Sequence, residues 1–208
     1  MKGYWFGQFI YDHNAEEALS EVAESLGQNV SGKGWVRISD DQWSTKFTTR
    51  SSLAVPNMEN GLHTSVDLSQ SPDEGVETHF EGALAAMKQV YEATDPLYGY
   101  GIRHTRLNVP NAINSPTTRE AIADNQIVAP TWLMLFTPEM VEEYGRDWLL
   151  DLPADRFEDL SDGGLMIICT EHIASTSGEG KQFLDDMAEI DRVFGLDPVE
   201  TFNKPPRK

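Results

Sequence analysis

The chain has 208 residues, 39% of them hydrophobic, with a formal net charge of −18, a pI near 4.5 and a mean hydropathy of −0.42. That length and apolar fraction suffice for one domain with a substantial core, while the charge repels nucleic acid and anionic membrane surfaces and favours a basic protein as partner. Acids outnumber bases fifteen to seven up to position 104 and nineteen to nine beyond it, so no acidic tail accounts for the excess.

Residues 4–11 (Y-W-F-G-Q-F-I-Y) carry aromatic and β-favouring side chains on both alternating sets, which predicts a strand inside a sheet. Asn14 followed by Glu17 marks a helix start, and Ala15, Ala18, Leu19, Val22, Ala23 and Leu26 keep helical spacing until Gly27. From 32 to 68 the period changes: 35–38, 43–48, 51–55 and 62–68 are short, β-branched or aromatic runs between turn signals, the pattern of an antiparallel meander. Ser71-Pro72-Asp73-Glu74 predicts a helix start, with Val76, Phe80, Leu84, Met87 and Tyr91 along its buried face and Asp95-Pro96 ending it. A strand over 97–108 follows, in which Gly99 and Gly101 signal a bulge or a close backbone approach. Residues 110–116 read as a loop, and Thr117-Thr118-Arg119-Glu120 as the cap of a short helix running to about Asp124.

The block 131–170 is the most apolar of the chain. T-W-L-M-L-F at 131–136 and G-G-L-M-I-I-C-T at 163–170 read as strands buried on both faces and mark the expected centre of the sheet, with Thr137-Pro138-Glu139 opening a helix between them. Last comes a helix begun by 176–179, its stripe Phe183, Met187, Ile190 and Phe194 ending at Gly195. The expected fold is therefore α+β: a single domain over 1–202, with a mostly antiparallel sheet and amphipathic helices packed on a face, followed by a disordered basic tail at 203–208.

Chemistry is sparse. His13, His63, His79, His104 and His172 make no zinc spacing, and no metal, catalytic residue or cofactor is expected from the motifs. Cys169, the only cysteine, precludes an intrachain disulfide and closes an apolar run, so it reads as packing in a protein of a reducing compartment. Residues 178–181 (G-E-G-K) lack the first Gly and the following Ser or Thr of a phosphate loop. The first residues lack the apolar length and cleavage site of a signal peptide, and no run approaches the ~18 apolar residues of a membrane span, so a soluble, cytoplasmic protein is expected. An enzyme would have to use polar groups at strand ends, namely Asp12, His13, Glu171 and His172.

The pattern W-L-M-L-F-T-P-E-M-V-E-E-Y-G at 132–145, then L-P-A-D-R-F-E-D-L-S-D-G-G-L-M-I-I at 152–168, resembles the C-terminal half of immunity proteins of type VI secretion and polymorphic toxin systems. Pro138, Val141, Gly145, Asp162, Gly163 and Gly164 carry the likeness, and Y-G-Y-G at 98–101 is similar to the middle of such proteins; Ser175-Thr176-Ser177-Gly178 stands where some members have a Gly-Asp-x-Asn turn. The resemblance implies a cytoplasmic binding protein that neutralises a cognate toxin by covering it. The acidity fits a basic toxin as partner, met through a surface containing Glu139, Glu142, Glu143 and Asp147 at helical spacing, with Met140, Val141 and Tyr144 packing inward. A structural or assembly protein from a salt-adapted organism accounts for the same charge and for the presence of only seven lysines. Nothing in the sequence sets the oligomeric state.

Overall fold

The computed structural model describes residues 4–12, 14–32, 35–39, 44–48, 61–67, 76–104, 118–170 and 179–196. Among the described residues, eight strands form one sheet: β1 Tyr4–Ile10, β2 Trp35–Ser39, β3 Ser44–Thr48, β4 Gly61–Asp67, β5 Tyr98–His104, β6 Leu133–Phe136, β7 Arg156–Asp159 and β8 Leu165–Ile168. Their order is β2-β3-β4-β1-β5-β6-β8-β7, and every pairing is antiparallel. The α+β class expected from the sequence is the fold observed. The middle of the sheet is the β1–β5 pair rather than the β6–β8 block. A short strand is buried on both faces wherever both faces carry helices, so the fully apolar runs of β6 and β8 report coverage and not centrality.

The glycines of β5 explain how the sheet closes up at its middle. A Cβ on Gly99 would stand 2.9 Å from the Phe9 ring and 3.1 Å from Leu135, and one on Gly101 would stand 2.9 Å from the Trp132 ring. The register of β1 against β5 runs unbroken from Tyr4↔His104 to Ile10↔Tyr98, so of the two expectations it is close approach, not a bulge, that the glycines serve.

Six helices are described: α1 Ala15–Ser25, α2 Val76–Thr94, α3 Arg119–Ala123, α4 Pro138–Tyr144, α5 Arg146–Leu150 and α6 Glu179–Val193. Residues paired directly across antiparallel strands point to the same face. Phe9, Gly99, Leu135, Met166 and Glu158 form one such row, and α2 lies over that face: Arg156 donates to Glu81 at 2.9 Å, Lys88 pairs with Glu158, and the Tyr91 hydroxyl donates to Asp162 at 2.9 Å. α1 runs beside α2, burying Ala18, Leu19, Val22 and Ala23. The opposite face presents Tyr98, Tyr100 and Phe136, and α4, α5 and α6 cover it, so helices pack on both sides of this part of the sheet.

Local signals account for the helix ends. Asn14 accepts from the Glu16 N–H, Thr118 from Ala121 and Thr137 from Met140, while Gly27, Gly145 and Gly195 take positive φ at the C-terminal ends. α2 buries Leu84, Met87, Val90 and Tyr91 as the helical spacing requires. The expected strand at 51–55, the helix start at Ser71, the loop at 110–116, the side chains of Phe80 and Phe183 and the tail at 203–208 lie outside the described residues. β7 was not legible: R-F-E-D has neither clear alternation nor an apolar run, because an edge strand needs only one paired side and a single half-buried Phe157.

Candidate functional site

The described residues hold no group of three His, Cys, Asp or Glu placed to bind a metal, and none of their helices is long and apolar enough to cross a membrane. Asp12 is exposed just past β1, and its companions at the strand ends, His13, Glu171 and His172, lie outside the described residues. What the structure does build is an open groove of about 480 Å³ on the face covered by α4, α5 and α6. Gln126, Ile127, Val128, Glu143, Tyr144, Trp148, Val193, Phe194 and Gly195 line it.

The wall of the groove is aromatic and follows from the helix junction. Thr137 caps α4, Pro138 takes its first position, and Gly145, at φ 83° and ψ 120°, ends it while serving as the residue before α5. In α5 the only fully buried side chain is Leu149, which leaves its neighbours Trp148 and Leu150 at 38% and 42% exposure. The Trp148 ring stacks on Tyr144 at 5.7 Å and meets Phe194 edge-on at 5.2 Å, both distances favourable for aromatic pairs. Behind them the contacts continue inward through Phe136, Tyr98 and Tyr100, so the wall is rooted in the sheet.

The opposite rim is a strap between α3 and α4. Asn125 adopts φ 55° after α3, and the Gln126 N–H closes on the Ala121 carbonyl at 2.7 Å, a Schellman-type ending. The Ile127 N–H then donates to the Tyr144 hydroxyl at 2.9 Å, and Gln126 Nε2 donates to Glu143 Oε1 at 3.2 Å. Burial raises the Tyr144 hydroxyl pKa, so that oxygen stays a neutral acceptor. Val128 and Val193, at 44% and 43% exposure, leave apolar surface at the mouth.

The four acids expected to form a binding surface are all exposed, Glu139, Glu142 and Glu143 on α4 and Asp147 on α5, and Met140 and Val141 are buried beneath them. Glu143 lines the groove, and Glu139 stands at the start of α4. No local motif marks Trp148 or Val193 as a groove residue, and Phe194 reads in the sequence as the end of a packing stripe. The available signal was D-W-L-L at 147–150: with Leu149 inward on a one-turn helix, Trp148 must point elsewhere.

No family model matches the chain, and no curated protein matches it. Among solved structures, a T6SS protein of Pseudomonas aeruginosa superposes with a TM-score of 0.49 and 11% identity, over 95% of this chain and 73% of that one.

Proposed function

We propose that this protein is an immunity-like binding protein that neutralises a basic toxin by protein–protein contact through the α4–α5 surface. The observation that carries the reading is the exposure, on two core-anchored helices of which Thr137 caps the first, of Glu139, Glu142, Glu143 and Asp147 together with Trp148. Carboxylates on a rigid face steer a basic partner and speed encounter more than they tighten the complex, and an exposed aromatic beside them is the residue type that dominates contact energy. The resemblance over 98–101, 132–145 and 152–168 supports the same reading.

A photo-crosslinking residue placed at position 142 in the native host tests it, with position 28, exposed beyond α1, as control. The expected result is an adduct at 142 with a basic protein that arrests growth when expressed alone and is silenced by co-expression of this chain. Glu142→Lys/Glu143→Lys should slow association with that protein and weaken the silencing. A captured protein without toxicity, or silencing unaffected by the double reversal, overturns the proposal.

A further inference from the structure

From the groove itself we infer the chemistry of the contact: it receives an arginine side chain of the partner, stacked on Trp148 and paired with Glu143. The inference rests on the reading above for the partner being a protein, and on the groove alone for the arginine. Among the nine lining residues Glu143 is the sole charged side chain. Its described partner is the neutral amide of Gln126, which orients the carboxylate without cancelling its charge. The described ion pairs lie elsewhere, joining Arg146 to Asp159, Arg156 to Glu81 and Glu158, and Lys88 to Glu158.

The other half of the cradle is the indole of Trp148, held between Tyr144 and Phe194 and 38% exposed. An aromatic plate fixed by its neighbours, beside a carboxylate that none of the described ion pairs engages, complements a guanidinium, which stacks by its face and donates by its edge. Val128 and Val193 at the mouth suit the aliphatic stem of the same side chain. Rival occupants fit worse. An aliphatic or aromatic anchor would cover Glu143 without giving its charge a partner. A lysine ammonium, a compact and strongly hydrated point charge, forgoes the planar stacking. An anion meets the Glu143 carboxylate and no cation among the lining residues.

The test needs no partner. Isotopically labelled protein is titrated in physiological salt with N-acetyl-Gly-Arg-Gly-amide, and the Trp148 indole N–H resonance is followed, assigned by its loss in Trp148→Phe. The expected result is a saturable shift of that resonance, at least threefold weaker affinity in Glu143→Gln, and at least threefold weaker affinity for the Lys and norleucine peptides. Absence of a saturable shift, equal affinity for the norleucine peptide, or an unchanged affinity in Glu143→Gln overturns the inference. Each of these results leaves the toxin-neutralisation assay free to succeed or fail by itself, so the two ideas fall separately.

Discussion

Tyr144 and Trp148 stack across the junction of α4 and α5, ring centroids 5.7 Å apart and planes 20° from parallel. Four residues of continuous helix would also place them side by side, but here Gly145 intervenes at φ 83°, turning the chain so that Leu149 enters the core while Trp148 stays at the surface. The groove wall thus depends on one backbone conformation that a side chain resists.

Gly145→Ala tests that dependence. No atom lies within 4 Å of a Cβ at this position, so the expected loss of about 1–3 kcal/mol is backbone strain alone, measurable by urea unfolding. Near-ultraviolet circular dichroism should change with it, because the Tyr144–Trp148 coupling shifts when the junction relaxes. An unaltered spectrum and stability would mean that the turn does not set the stack.

Gly164→Ala should destabilise for a different reason. Its φ is not positive, but an added Cβ would stand 2.5 Å from the Phe136 carbonyl oxygen and 2.8 Å from the Tyr91 hydroxyl. Backbone cannot swing aside as a side chain can, and overpacking of this kind costs about 1–3 kcal/mol. The Tyr91 to Asp162 hydrogen bond should be lost with it, so Tyr91→Phe and Gly164→Ala are expected to be less than additive in a double-mutant cycle.

Met87→Ala probes the anchoring of α2. Met87 is fully buried, and its truncation is expected to cost about 2–5 kcal/mol in denaturant unfolding. A loss below about 1 kcal/mol would show that α2 adjusts to fill the space.

Asp191 gives the fold a pH dependence of known sign. The residue is 2% exposed, its Oδ2 has no hydrogen-bond partner among the described residues, and burial pushes its carboxyl up to about 6, only partly offset by Arg192. Its charge in turn adds to the burial that raises the Cys169 thiol. Below about pH 4 the carboxyl is protonated in both the folded and unfolded chain and imposes nothing. Between about pH 4 and 6 the unfolded chain ionises first, so stability falls as pH rises, and above about 6 the penalty is constant. Asp191→Asn should therefore be near neutral at pH 4 and stabilising at pH 7.5, by an amount on the order of 1–3 kcal/mol. A difference between variant and parent that does not vary with pH would show that Asp191 keeps an ordinary carboxyl.

What the sequence determined by itself was whatever is encoded within a few neighbouring residues. The alternating aromatics of β1, the apolar runs of β6 and β8, the caps at Asn14, Thr118 and Thr137 and the stripe Leu84, Met87, Tyr91 each carry their own physical signal, and all are found as elements where those signals stand. Exposure of Glu139, Glu142, Glu143 and Asp147 follows from the same helical period. The tertiary structure alone decided which of those acids has an aromatic neighbour to work with. Val128, Phe194 and the α4–α5 pair Glu143 and Trp148 come from three separate stretches of chain, and no local period relates the three. They meet because α4, α5 and α6 must all bury apolar side chains against Phe136 and its neighbours on one face of the sheet, and five-residue α5 is too short to bury Leu149 and Trp148 together.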